Sequence, residues 1–298
     1  MRKFTMALAA ATMCLLLMPT AASADTVVPK VKWANDFGCV PTAAHPRPVV
    51  LVHGLGATAE ANWSYIGPQL KQAGYCVYAL TYGTSDKAPA QFRNVFGGLT
   101  KIESSAEELK AFVARVLAST GATKVDIVGH SEGTVMPNYY AKFLGGAAFI
   151  DDYVSIAPLW HGTDVGGFAT FSTLGAPYGL SPAIFKVLEP YFASSQQLLK
   201  GSEFMTKMRS GGTPAVPGIT YTNIVTQYDE LVVPYTSGLL PAPATNHILQ
   251  QVCANDVSEH AAVAFDPVVA RLILNALDPA TAKKPSCLGL PPLARPPS

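Results

Sequence analysis

Between residues 125 and 144 the chain passes from a β-branched run, Val125-Asp126-Ile127-Val128, through Gly129-His130-Ser131-Glu132-Gly133, into a stretch of helical spacing that reaches Leu144. A G-x-S-x-G segment between a strand and a helix sets its serine on a sharp, strained turn. Its glycines are required because side chains there would collide with neighbouring backbone. A short strand of this composition is buried on both faces, and such strands belong to parallel sheets covered by helices on both sides.

The rest of the chain repeats that pattern. Short apolar runs at 48–53 and 75–82 end in Gly54 and Gly83 and read as buried strands, with a short helix over 62–73 between them that Gly74 ends. Ile102, Ala106, Leu109, Phe112, Val113, Val116 and Leu117 fall at helical spacing opposite Glu103, Glu107, Glu108, Lys110 and Arg115, so an amphipathic helix is expected over 102–119. Strands are expected at 125–129, 153–157, 219–226 and 248–253, and a last helix at 261–277. Alternation of this kind implies an α/β fold with a mostly parallel central sheet and helices on both faces. It breaks between about 159 and 218, where aromatic residues, Gly, Ser and Thr replace clear strands; an insertion of that length over the sheet reads as a cap.

The first 24 residues join a basic start, Arg2-Lys3, to an apolar run from Ala7 to Met18 and to Ala22-Ser23-Ala24, the pattern of a secretory signal peptide cleaved after Ala24. The expected organisation is therefore 1–24 signal peptide, 25–284 one α/β domain, and 285–298 a proline-rich tail. Taking Arg2 and Lys3 from the 21 basic residues leaves 19 against 20 acidic ones, so no electrostatic case for nucleic acid or an anionic membrane remains. No protein partner is predicted.

Four cysteines remain after processing, and an even number in an exported chain favours two disulfides. Cys39 precedes the first strand and Cys76 opens the second, which places both toward the N-terminal edge of the sheet. Cys253 is expected to close its strand at the opposite edge, roughly 17 to 20 Å away. Cys39 with Cys76 and Cys253 with Cys287 are thus the expected pairs.

The chemistry concentrates on the same edge. The Glu132 N–H, at the start of the helix after Ser131, can donate to an oxyanion, and the Leu55 N–H in His53-Gly54-Leu55-Gly56 is the second candidate donor. The Glu132 side chain reads as a first-turn acid favourable to the helix dipole.

Together HGLG, GHSEG, TQYDELVVPYTSG and CANDVSEHAAVAFDP resemble the secreted bacterial class 2 lipase and esterase family over most of residues 45–280. That resemblance implies an α/β-hydrolase fold and carboxylic ester hydrolysis, by a triacylglycerol lipase or an esterase, with an ester or lipid substrate and transient contact with a lipid interface. Thr134 departs from the pattern, since many lipases of this superfamily have a second glycine there.

Of the six histidines, His260 follows the strand expected at 248–253 and so lies at the reactive edge, whereas His247 precedes it. His53 and His130 read as structural, and His45 precedes the first strand. The order Ser, acid, His then restricts the acid to positions between 131 and 260. Asp229 leads, after the strand at 219–226, with Asp164 and Asp256 as alternatives. Trp160, His161, Phe168, Phe171 and Leu174 are candidates for the substrate pocket, although the apolar residues of this region equally suit a core for the cap itself. Neither H-E-x-x-H nor a P-loop occurs, and no cofactor or metal is expected. An acyltransferase or a polyester or cutinase-type hydrolase would share every residue named, and a non-catalytic lipid-binding module would have little need for the ordered Ser, Asp and His.

Overall fold

The computed structural model describes residues 28–29, 31–85, 87–88, 95–164 and 191–288. The signal-peptide segment, most of the expected tail and the central part of the expected cap, Phe168, Phe171 and Leu174 included, lie outside the described residues.

Among the described residues, six strands form one parallel sheet: β1 (Val49–Val52), β2 (Val77–Leu80), β3 (Val125–His130), β4 (Ile150–Ile156), β5 (Thr220–Val225) and β6 (Thr245–Ile248), in the order β2-β1-β3-β4-β5-β6. All four side chains of β1 are buried, and they alternate between two cores. Val50 and Val52 face a cluster with Ile102, Leu109 and Val113, whereas Val49 and Leu51 face one with Ile66, Leu70, Val269 and Ile273. Burial on both faces is why β1 is apolar at every position rather than at alternate ones.

The helices that cover the two faces are α1 (Ala59–Asn62), α2 (Ile66–Gln72), α3 (Ile102–Thr120), α4 (Glu132–Phe143), α5 (Glu203–Met208), α6 (Leu249–Val252) and α7 (Pro267–Leu277). Helix α3 buries the apolar stripe its spacing predicts and ends at Gly121 in the left-handed region, φ 69°. The single helix expected over 62–73 is two, α1 being capped by the Thr58 hydroxyl at the Ala61 N–H.

Two boundaries differ from expectation. The last strand is Thr245–Ile248, and most of the segment expected as that strand forms α6. An apolar run of this length fits a strand or a helical turn equally well, and periodicity does not separate them. The last helix starts at Pro267 rather than 261, because Asp266 accepts from the Val268 and Val269 N–H groups and caps it there.

Both expected disulfides are present, Cys39 to Cys76 with Cα atoms 5.8 Å apart and Cys253 to Cys287 with 5.5 Å. Cys253 follows α6 rather than closing a strand, so the pairing holds while that part of its rationale does not. Below the sheet, Arg47 binds Asp126 and Asp152, each at 2.6 Å, and Asp151 at 3.1 Å, and Lys124 binds Asp151 at 2.8 Å, so two cations already occupy this acidic cluster. No helix among the described residues is long and apolar enough to cross a membrane.

Candidate active site

The carboxyl ends of β1, β3 and β5 and the segment after α6 converge on Ser131. Its backbone takes φ 55° and ψ −124°, a sparsely populated region for a residue with a side chain, and the turn carries helix α4 directly behind it. The two motif glycines make that turn possible. A Cβ on Gly129 would run into the Gly133 carbonyl, and one on Gly133 into the carbonyls of Val52 and His53. Thr134, the departure from the family pattern, fits here as well: its hydroxyl donates to the Ser131 carbonyl at 2.7 Å, and its own carbonyl accepts from the Tyr153 hydroxyl at 2.6 Å.

Ser131 Oγ lies 2.8 Å from His260 Nε2, and His260 Nδ1 lies 2.9 and 3.0 Å from the two oxygens of Asp229. The carboxylate is itself held, Oδ1 accepting from the Leu231 N–H at 3.0 Å and the Val232 N–H at 2.7 Å. All three residues are buried. Burial works against a charged His260, yet the Asp229 charge and hydrogen bond, helped by Glu230 and Glu259, carry its pKa above the ordinary 6.5. With Nδ1–H directed at Asp229, the lone pair of Nε2 faces the serine hydroxyl.

The other acids are placed elsewhere. Asp164 pairs with Lys200 at 3.2 Å on the surface, and Asp256 Oδ1 accepts from the Ser258 N–H. His247 lies within β6 rather than before it. His53 is buried, stacked on Tyr82 with ring centroids 4.3 Å apart; its Nδ1–H donates to the Gly54 carbonyl and its Nε2 accepts from the Tyr82 N–H. Burial pushes its pKa down to about 4, so it is neutral.

A small cavity of about 40 Å³ opens beside Ser131, lined by Gly54, Leu55, Gly56, Ala57, Asn62, His130, His260, Ala261, Ala264 and Phe265 as well as Ser131. No acceptor among the described residues takes the N–H of Leu55 or of Glu132. Trp160 and His161 do not line this cavity. Trp160 packs in the core edge-on to Tyr153 and Tyr221, its Nε1–H donating to Asn223 at 2.7 Å. His161 is part-buried, and burial together with Arg209 lowers its pKa. Of the apolar residues expected in the cap, Leu159, Trp160 and Phe192 belong to the main core.

Three features were not legible in the sequence. Asn62 Oδ1 accepts from the Gly54 N–H at 3.2 Å and faces His130 Nδ1 at 2.9 Å; Glu230 accepts from the His260 N–H at 3.1 Å; and the segment after His260 supplies one wall of the cavity. Each depends on a contact between distant segments, for which no local spacing gives a signal. Side-chain polarity alone does not single out Asn62 or Glu230.

The sequence profile of the class 2 lipases matches residues 46–272, which holds every one of these groups. The chain belongs to the class 2 lipase family. Two curated relatives, triacylglycerol lipases of Pseudarthrobacter phenanthrenivorans and Burkholderia plantarii, are each 31% identical over 159 residues. The matched region is 51% of this chain and 45% and 40% of those proteins, so the chain spans less than half of their length. Among solved structures, Aspergillus fumigatus lipase B superposes with a TM-score of 0.59 at 20% identity, over 83% of this chain and 56% of that one. The mature Bacillus licheniformis lipase BlEst2 gives 0.55 at 15% identity, over 80% and 94%. This member of the family therefore has the α/β-hydrolase fold.

Proposed function

We propose that this chain is a secreted carboxylic ester hydrolase, a triacylglycerol lipase or an esterase, that works through an acyl-enzyme on Ser131 with His260 as base and Asp229 as its partner. The observation that carries the reading is the unbroken line from Asp229 through both ring nitrogens of His260 to Ser131 Oγ, with contacts of 2.8 to 3.0 Å. Along that line His260 Nε2 takes the hydroxyl proton as Oγ attacks the acyl carbonyl, and the imidazolium so formed is stabilised by Asp229. The N–H groups of Leu55 and Glu132 receive the oxyanion. His260 then returns the proton to the leaving alcohol, and a water molecule activated in the same way releases the acid.

The name of the two curated relatives supports triacylglycerols as a substrate class, and the two disulfides suit an oxidising compartment. The test is hydrolysis of a p-nitrophenyl ester series and of emulsified triglycerides by the wild-type protein and by Ser131→Ala, with fluorophosphonate labelling of both. The variant is expected to keep its fold, to lose labelling, and to retain on the order of a thousandth of the activity or less. Turnover near that of the wild type would overturn the assignment.

A further inference from the structure

Glu132, the residue that follows the nucleophile, is fully buried, in contrast to the solvated first-turn acid its position suggests. One of its oxygens, Oε1, lies 3.2 Å from the Tyr82 hydroxyl; the other finds no partner among the described residues. Lysine and arginine are absent from its ion pairs among those residues. The hydrogens around it are also spoken for. Tyr82 has a single hydroxyl hydrogen and a nearer acceptor, the His53 carbonyl at 2.8 Å. Ser194, which also faces the carboxyl, gives its hydrogen to the Gly98 carbonyl at 2.6 Å. With both hydroxyl hydrogens committed to carbonyls, a carboxylate would face the lone pairs of Tyr82 Oη, and a hydrogen on Glu132 itself is what turns that 3.2 Å contact into a hydrogen bond.

The two carbonyls belong to segments that hold the oxyanion loop. His53 leads directly into Gly54 and Leu55. Gly97 and Gly98 pack behind that loop: the Gly56 N–H donates to Gly97 O at 2.9 Å, the Gly97 N–H to Ala57 O at 2.8 Å, and a Cβ on Gly98 would sit 3.0 Å from Glu132 Oε1 and 3.1 Å from Leu55 Cα. We propose that Glu132 is a positioning residue for the oxyanion loop and acts as a carboxylic acid, donating its proton to Tyr82 Oη so that Tyr82 can hold the His53 carbonyl.

This deepens the serine-hydrolase reading and rests on it. Ionised, Glu132 would draw the Tyr82 hydrogen away from His53 and set a negative charge one residue from the oxyanion. The dipole of α4 favours the carboxylate, but burying an unpaired charge costs several times what the dipole returns. Burial accordingly raises the Glu132 pKa to about 8. Tyr82 and the titratable groups around it share this bias. Tyr82 after β2 is raised well above its ordinary value by burial and then by Glu132; Tyr153 on β4 is raised by burial; His53 after β1 is neutral; and Glu108 on α3, bonded to the Gly83 N–H, is raised by burial to about 7.

The test compares kcat/KM against pH, on a soluble ester followed by pH-stat, for the wild type, Glu132→Gln and Glu108→Gln, each profile scaled to its own maximum. The wild-type activity is expected to fall in the alkaline range with an apparent pKa near 8. In Glu132→Gln, whose amide can still donate to Tyr82, that limb should move up by roughly one unit or more or vanish, and in Glu108→Gln it should stay. Infrared spectroscopy gives a second readout: a protonated-carboxyl C=O band at neutral pH that is kept in Glu108→Gln and lost in Glu132→Gln should disappear with the midpoint of the wild-type activity loss. An alkaline limb unchanged in Glu132→Gln, or the absence of such a band, would overturn the proposal. Because Ser131→Ala tests the underlying chemistry separately, a failure of this inference is distinguishable from a failure of the hydrolase reading.

Discussion

His130 Nε2 lies 3.0 Å from the backbone carbonyl of His260, so the residue before the nucleophile clasps the residue that would activate it. The other ring nitrogen faces Asn62 Oδ1, which also holds the Gly54 N–H. Burial and the nearby His260 push the His130 pKa down to about 3, and a neutral ring donates to one of these two oxygens at a time. Asn62 and His130 thus join the oxyanion loop, the elbow and the histidine loop through two buried side chains.

Asn62→Ala should therefore damage turnover more than substrate binding. Removing the amide leaves the Gly54 N–H without its acceptor inside the protein, which costs about 1 to 3 kcal/mol, and loosens the loop that carries the Leu55 N–H. The expected outcome is a fall in kcat of about tenfold or more with a smaller change in KM. Steady-state kinetics on a soluble ester would check it; a variant whose KM rises while kcat is kept would show that Asn62 serves binding instead.

Asp229→Asn should lower turnover on the order of ten-thousandfold, because an amide favours the imidazole tautomer that presents an N–H to the serine. The same variant carries a pH signature. A general base must be neutral, so wild-type kcat/KM falls as pH drops through the His260 pKa, which lies above 6.5. Losing the Asp229 charge removes the largest influence that raises it, and the acid limb should move to lower pH. Asp164→Asn, at a surface pair with Lys200, should leave both rate and profile close to wild type. If Asp164→Asn is the crippling change, the acid is assigned to the wrong loop.

What could be read from the sequence was what is encoded locally. The strand, G-x-S-x-G and helix succession at 125–144 implies a parallel sheet and the position of Ser131, and chain order leaves Asp229, Asp164 and Asp256 as candidates for the acid, of which the fold brings Asp229 against His260. The segment expected as the strand before His260 is largely α6, yet His260 still lies after the sheet's last strand and so at its reactive edge. Asn62 and the acid form of Glu132 were invisible for another reason. Both depend on how many hydrogens a set of distant groups shares once the loops are packed, and sequence spacing carries no information about that.

Replacing either elbow glycine should be a folding defect rather than a catalytic one. A Cβ at Gly133 would meet the Val52 and His53 carbonyls, and one at Gly129 the backbone of Gly133 and Thr134, so the obstruction is main chain that no side-chain rotation relieves. Gly129→Ala and Gly133→Ala are expected to destabilise by more than about 4 kcal/mol, the range of severe core defects. Gly145→Ala is the control: with no heavy atom within 4 Å of its Cβ, it should show only the smaller cost of its positive φ. Thermal denaturation of the three variants would decide, and a Gly133→Ala protein as stable as the control would refute the steric account.

The disulfide between Cys253 and Cys287 tests whether the histidine loop needs an external anchor. It closes 34 residues, for which loop-closure entropy alone gives roughly 3 to 4 kcal/mol of stabilisation, and the bond between Cys39 and Cys76, closing 37, should contribute much the same. The loop, however, has its own internal ties. Thr226 Oγ donates to the Ser258 carbonyl at 2.7 Å, Gln250 Nε2 to the Asp256 carbonyl at 3.0 Å, and Ser258 Oγ to Asp266 at 2.6 Å, while His260 is held by Asp229, Glu230 and Ser131. Those bonds lie between the disulfide and the histidine and do not pass through it. The double variant Cys253→Ser/Cys287→Ser, which leaves neither of the bond's own thiols free, should therefore lose roughly 3 to 4 kcal/mol in guanidinium unfolding while keeping kcat within about twofold of wild type under native conditions. A fall in kcat of tenfold or more in a variant that remains folded would mean that the disulfide, not the hydrogen-bonded loop, sets the position of His260.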